Sequence, residues 1–191
     1  IGYTPRPRQA ARATVSFFVD TSGIVPIPAS LTLKKGPVAT SISNFGGQSF
    51  IFSILSDITV PVLDGIATFD DIEVYEGTLL TQTYTYSARV PNQKFILPNI
   101  GIDTDLITVT VKPNEASATE TKYNSQNSLF DVKSDSKVYF LQEIEDERYE
   151  IFFGDGIFGK ALEDGNFITI NYITSNGDAA NGISAFNFSG R

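Results

Sequence analysis

Hydrophobic and polar residues alternate along most of this chain, and the alternation predicts β-strands. The clearest run begins at Arg12, where Ala13, Val15, Phe17 and Val19 fall on one face. Thr14, Ser16 and Phe18 fall on the other face. A period of two residues is typical of a strand, because successive side chains point to opposite sides. Further runs that predict strands lie at Ser30–Lys34, Gln48–Leu55, Asp57–Leu63, Ile66–Val74, Leu79–Ala88, Asp105–Val111, Lys137–Gln142, Arg148–Phe153 and Asn166–Ile173.

The segments between these runs have the composition of tight turns. Gly46-Gly47, Asp64-Gly65 and Asn176-Gly177 suit backbone with positive φ, as short hairpins require. No stretch of ten residues shows helical periodicity, and the best short helical candidate is one turn at Lys160–Asp164. We therefore predict an all-β fold of β-sandwich or barrel-like units, with antiparallel strands, short Gly-rich hairpins and little helix.

Charge and composition suggest where the chain divides. Residues 1–100 carry seven acidic and seven basic side chains, so the net charge of −8 lies in residues 101–191. Residues 113–135 are rich in Asn, Ser, Thr, Glu and Lys, which is typical of a polar connector. These features predict a first β domain over residues 12–112 and a second β unit over residues 113–191 that carries the FGDG sequence. The two prolines, two arginines and glycine of residues 1–11 predict an extended arm before them.

The residue types that are absent limit the chemistry. The 191 residues contain no Cys, His or Met, which excludes disulfides, thiolate nucleophiles, imidazole bases and Cys- or His-ligated metals. The acidic balance argues against nucleic-acid binding, which needs clusters of Lys and Arg. No apolar run approaches the ~20 residues of a membrane span, and no secretory signal pattern opens the chain. Since the sequence opens on Ile1 rather than Met, we interpret it as part of a longer polypeptide.

The segment Gly154–Ala161 resembles a phosphate-binding loop as a string of letters. It follows a predicted strand, and it satisfies G-x-G-x-x-G and the first seven positions of the P-loop motif. Position eight is Ala161, which has no oxygen for magnesium, and a predicted strand follows where both motifs require a helix. We therefore predict a structural turn, built on Gly154, Asp155, Gly156 and Gly159, and no nucleotide binding.

Two other clusters have both a chemical and a structural interpretation. Glu143, Glu145, Asp146, Glu147 and Glu150 could supply a carboxylate pair for glycoside hydrolysis, but a solvated hairpin tip is the favoured interpretation. Calcium would need a D-x-D-x-D-G spacing that is absent. The aromatic residues could stack on sugars, although their i, i+2 spacing is also typical of a buried sheet face. This aromatic strip consists of Phe45, Phe50, Phe52, Tyr84 and Tyr86.

The C-terminal half of the chain resembles a known family. The stretches that carry the resemblance are 139–143, 149–160, 162–166 and 168–172, followed by Asn181-Gly182. In order, they are similar to the baseplate J-like and baseplate wedge proteins of contractile-tailed, T-even type bacteriophages. Upstream stretches at 11–17, 25–29, 76–79, 95–99 and 102–105 are similar to the large wedge subunit. Ala13 departs from the pattern, since the family commonly has Gly there, and the family's proteins extend beyond this segment at both ends.

The resemblance implies a structural protein of the virion. It implies a location in the tail baseplate after synthesis in the bacterial host cytoplasm, and assembly with other wedge subunits and with copies of itself into a ring around the tail hub. It implies no catalytic residue, no cofactor and no metal, and no nucleic acid, membrane or small-molecule substrate as partner. In the FGDG turn, Phe152, Phe153, Ile157 and Phe158 are then expected to pack the base of the hairpin, with Asp155 accepting backbone N–H bonds. Two alternatives are a carbohydrate-binding module for the host surface and a polysaccharide-degrading enzyme.

Overall fold

The computed structural model describes residues 8–42 and 48–190 and confirms the all-β prediction. Strands make up 50% of it and helical turns 6%, with no helix of seven residues or more. Three expectations lie outside the described residues, namely the arm over residues 1–7, Phe45 and the Gly46-Gly47 turn. The strands are β1 Arg12–Asp20, β2 Ser30–Leu33, β3 Gly36–Ser41, β4 Ile51–Ile54, β5 Ile58–Leu63, β6 Ile66–Glu76, β7 Thr78–Thr85, β8 Phe95–Leu97, β9 Thr108–Lys112, β10 Thr121–Ser125, β11 Val138–Ile144, β12 Arg148–Phe153, β13 Phe167–Thr174 and β14 Phe186–Phe188.

The short helical turn predicted at Lys160–Asp164 is wrong. Ala161 instead forms a bridge with Gly154, and Asp164-Gly165 form a turn. Within residues 8–42 and 48–190, three short 3₁₀ turns occur elsewhere, at Thr104–Leu106, Glu145–Glu147 and Gly177–Ala180.

The described residues form two compact units. The central unit is Leu80–Tyr172, and the flanking unit combines Arg8–Leu79 with residues 173–190. This division differs from the boundary predicted at residue 113. β9 and β10 lie on either side of that point and pair with each other, Lys122 opposite Thr110, so both belong to one sheet. The change in charge near residue 101 therefore does not mark a division between the units.

The central unit is a single sheet in the order β7-β13-β9-β10-β11-β12-β8. Its first and last strands come together, since the Tyr84 hydroxyl donates to the Ile96 carbonyl and the Tyr84 and Phe95 rings meet edge to face at 5.4 Å. The sheet is thus barrel-like and nearly closed. One pairing is parallel, that of β10 with β11, which departs from the predicted antiparallel arrangement.

The core of the central unit fills the inside of this sheet. Leu97, Val109, Ile168 and Ile170 are fully buried there, as the alternation of each strand requires. Tyr172 is buried as well, and its hydroxyl reaches Asn99 at 2.6 Å, so the polar end of the ring has a partner.

The flanking unit is built around β6, the longest strand. β1 pairs along one side of β6, and β4 and β5 pair along the other. The seven-stranded sheet has the order β14-β3-β4-β6-β5-β2, with β1 paired to β6 outside this order, so strands from both ends of the described chain form one sheet. Of the predicted arm, Ala11 packs in this core, and its carbonyl accepts the Glu76 N–H at 2.8 Å.

Candidate functional site: the FGDG turn and the acidic hairpin

The FGDG turn begins where β12 ends and folds back on the same sheet. Gly154 forms a parallel bridge with Ala161, which closes the loop between them. Inside the loop, the Gly156 N–H donates to the Gly159 carbonyl at 2.9 Å. The Asp155 carboxylate accepts N–H bonds from Ile157 at 2.9 Å and Phe158 at 2.8 Å. These two bonds lower the pKa of Asp155 below its ordinary value, because they stabilise the charged form.

A second loop holds the FGDG turn from outside. The Gly159 N–H donates to the Lys133 carbonyl at 3.0 Å, and the Lys160 N–H donates to the Ser136 carbonyl at 2.8 Å. The Ser136 hydroxyl in turn accepts the Lys133 N–H at 3.0 Å. The backbone N–H groups that a phosphate loop would offer to a ligand are therefore used within the protein.

The glycines of the turn are required for two different reasons. A Cβ on Gly154 would overlap the backbone carbonyl of Gly159, so no larger residue fits while the turn keeps its shape. Gly156 has open space around it but a φ of +88°, which residues with a Cβ rarely adopt. Gly159 combines a φ of +92° with a close neighbour, since its Cβ would lie 2.9 Å from Val138 Cγ2.

The hydrophobic residues beside the turn do not all pack under it. Phe153 packs inward, where its ring meets Phe95 at 5.4 Å and Tyr123 at 5.6 Å. The expectation that Phe152, Ile157 and Phe158 pack the base is wrong, since all three are exposed. Phe152 lies on the opposite face of β12 from Phe153, and the other two lie at the tip of the loop.

The acidic cluster forms the tip of the β11–β12 hairpin. Glu145, Asp146 and Glu147 are exposed there, and the last two have positive φ values of 62° and 55°. The solvated interpretation therefore holds for the tip. Glu150 departs from it, because it is buried in β12 and its carboxylate lies 3.5 Å from Lys94 Nζ.

The hairpin also affects a neighbouring tyrosine. Burial raises the pKa of Tyr149, and the negative charges of Glu143 and Glu147 raise it further. Tyr149 stays neutral in this environment, and it belongs to the core of the central unit. Among the described residues, no group of three or more Asp, Glu, His or Cys side chains could hold a metal ion.

The described residues of the aromatic strip belong to the cores of the two units, two residues to each. Phe50 and Phe52 are buried in the flanking unit, and Tyr84 and Tyr86 pack against the core of the central unit. The core interpretation of these four is confirmed. A groove of about 370 Å³ does lie beside the FGDG turn, lined by residues that include Tyr86, Phe152 and Leu162. Among the described residues that line it, Asp155 is the only carboxylate.

One buried carboxylate of the flanking unit was not predicted. Glu76 ends β6 and is 1% exposed. It accepts hydrogen bonds from the Ser175 hydroxyl at 2.6 Å, the Asn176 side-chain amide at 2.8 Å and the Asn176 N–H at 3.0 Å. The next residue, Gly77, has a φ of +124° and lies against the backbone of Thr174. In the sequence, Glu76 precedes a glycine, which is also typical of an exposed turn. Nothing near Glu76 in the sequence indicates that its partners are Ser175 and Asn176.

Comparison with known families identifies the class of protein. Residues 78–179, more than half of the chain, match structural wedge proteins from the tail baseplate of bacteriophages. The family is described as bacteriophage baseplate wedge protein gp6, third domain, and this chain belongs to it. The match covers every strand of the barrel-like sheet, together with the FGDG turn and the acidic hairpin.

This match confirms the family that the sequence predicted, and it supports a structural role in the tail baseplate. It also implies contacts with other baseplate subunits and a location in the virion tail. No curated protein sequence matches the chain. In the described ranges, no helix has the length and apolar character needed to cross a membrane.

Proposed function

We propose that this chain is a non-enzymatic building block of the baseplate wedge, made in the cytoplasm of the bacterial host. It assembles through protein–protein contacts with other wedge subunits and with copies of itself into the ring around the tail hub. The observation that carries the proposal is the family match over residues 78–179, which coincides with the barrel-like sheet. The residues of the FGDG turn then have a structural task, which is to fix the end of β12 against the neighbouring loop.

The surface charge supports an assembly role. All of the net charge of −8 lies in residues 101–191, and the exposed tip at Glu145, Asp146 and Glu147 concentrates part of it. We infer that basic residues on neighbouring subunits offset this charge. Such attraction speeds association and weakens with salt, because screening acts over ~8–10 Å near physiological ionic strength.

Sedimentation tests the proposal directly. The full parent protein, co-expressed with the tail proteins of its own virus, is expected to sediment as a multi-subunit wedge whose assembly slows as salt rises. A variant that carries Glu145→Gln, Asp146→Asn and Glu147→Gln should form the same complex with a weaker salt dependence. Its control carries Glu115→Gln and Glu120→Gln, which neutralise exposed carboxylates outside the hairpin. A parent that stays monomeric with every tail protein, yet binds host glycan tightly, would contradict the proposal and favour the receptor-binding alternative.

A further inference from the structure

Three exposed hydrophobic side chains form a ladder across the outer face of the flanking unit. Phe18 on β1, Ile66 on β6 and Leu63 on β5 are 69%, 42% and 69% exposed. The strand register places them together. Leu63 lies directly opposite Ile66, and Phe18 lies opposite Thr68, which puts Phe18 diagonal to Ile66. Directly opposed and diagonal side chains lie within contact distance on a sheet face. We call these three residues the apolar ladder.

The loop after β1 carries further exposed hydrophobic side chains. It starts at Thr21, whose N–H and hydroxyl both donate to the Gly65 carbonyl, at 2.7 and 2.8 Å. This contact holds the loop at the β5–β6 turn, next to the ladder. Ile24, Val25 and Ile27 in this loop are all exposed. A contiguous exposed hydrophobic surface is rare on a soluble domain unless it contacts a partner.

Carboxylates surround the ladder. Asp20 lies directly opposite Ile66, and Asp64 lies in the turn between Leu63 and Ile66. Asp70 follows Thr68 on the same face of β6, and Asp71 is next to it at a bulge opposite β1. All four are exposed, and none forms an ion pair with a basic residue of the described chain. We call these four residues the acidic rim.

The acidic rim selects the kind of partner. If two copies of this chain met through the same surface, carboxylate would face carboxylate, which is unfavourable across an interface. A surface with an apolar centre and a border of lysine and arginine would bury the ladder and pair with the rim. We propose that the apolar ladder and the acidic rim dock a different baseplate protein with such a basic border. This inference rests on the proposed function, since it assigns one of the assembly contacts to the flanking unit.

Hydroxyl-radical footprinting of assembled baseplates tests where the contact lies. Oxidation of the parent protein is measured by mass spectrometry, both free and within purified baseplates from its virus. The proposal expects Phe18, Leu63 and Ile66 to be oxidised several-fold less in the baseplate. Equal oxidation of the three in both states would overturn it. If peptides of this chain are missing from purified baseplates, the proposed function fails, and this inference fails with it.

Substitutions test whether the contact matters for assembly. Phe18→Glu should lower incorporation of the parent into baseplates by about tenfold or more, as for a residue at the centre of an interface. Its matched control is Phe130→Glu, at a phenylalanine of the central unit that is 86% exposed. Asp70→Lys should also lower incorporation, and its control, Glu120→Lys, should not. Normal incorporation of both Phe18→Glu and Asp70→Lys, with unchanged melting temperatures, would overturn the proposal while the proposed function stands.

Discussion

Replacing Gly154 with alanine should destabilise the protein more than replacing Gly156, although Gly156 has the unusual backbone angle. The added Cβ at Gly154 would overlap the Gly159 carbonyl, which is backbone and cannot rotate away. At Gly156 the nearest atom to an added Cβ is the Cβ of Ala161 at 3.8 Å, so only the φ of +88° opposes the change. The same substitution therefore tests steric overlap at one position and backbone conformation at the other.

The contacts of the turn set the size of each effect. Relief of the overlap requires Gly159 to move. This strains the bond from its N–H to the Lys133 carbonyl at 3.0 Å and the bond that its carbonyl accepts from the Gly156 N–H at 2.9 Å. Overpacking costs about 1–3 kcal/mol and each weakened hydrogen bond about 1 kcal/mol, so Gly154→Ala should cost about 3–5 kcal/mol. That corresponds to roughly 6–20 °C in melting temperature for a chain of this size. Gly156→Ala should cost about 1–2 kcal/mol, the cost of left-handed backbone.

Urea unfolding followed by far-UV circular dichroism measures these differences. Gly156→Asn should restore most of the stability, because asparagine tolerates positive φ. Gly23→Ala is the control, since nothing lies within 4 Å of its Cβ and its φ is not positive, and it should stay within about 0.5 kcal/mol. If Gly154→Ala unfolds at the same urea concentration as the unmodified protein, or if Gly156→Ala is the more damaging, the account of the turn is incorrect.

Further predictions concern the buried carboxylate, the acid response and the phosphate-loop string. Glu76→Gln should lower the free energy of unfolding by about 2–4 kcal/mol, because the new amide group would face hydrogen-bond donors. Urea unfolding measures this loss, and the exposed Glu73→Gln is the control. A smaller loss for Glu76→Gln than for Glu73→Gln would contradict the prediction. Since the pKa of Asp155 is lowered in the folded state, its contribution is present at neutral pH and is lost below about pH 4. In the Asp155→Asn variant, the melting temperature should therefore decrease less as the pH falls than it does in the unmodified protein. An equal decrease in both proteins would contradict this prediction. Calorimetry should detect no binding of ATP or NAD at the Gly154–Ala161 segment. Micromolar affinity that Lys160→Ala abolishes would contradict this prediction.

The alternation of residues was sufficient to predict the long strands. β1 and β5 agree with their predicted runs within one residue, because exposed and half-buried residues alternate along each of them. β12 also matches its predicted run, although Tyr149, Glu150 and Ile151 are buried in succession. The undetected strands lack this pattern. β3 does not alternate, since Val38 and Ala39 are both buried. β8 and β14 have three residues each, and β10 buries only Tyr123 among its five residues, so it was indistinguishable from a polar connector.

The sites show a similar limit. The predicted turn at the FGDG sequence rests on Ala161 and the missing helix, which are local features of the sequence. The partners of Glu76 lie about 100 residues away along the chain, and local sequence contains no trace of them. Phe18 was visible on the polar face of β1, but its neighbours Leu63 and Ile66 are brought to it only by the pairing of β1, β6 and β5.

Locating this chain in the virus tests its proposed role in the baseplate wedge. Purified virions can be labelled with an antibody raised against the chain, with detection by electron microscopy. A structural protein of the baseplate wedge should give label on the baseplate at the end of the tail, and that label should disappear when the antibody is first absorbed with the purified chain. Label confined to tail fibres, or none on disrupted and intact baseplates alike, would contradict a structural role in the baseplate wedge.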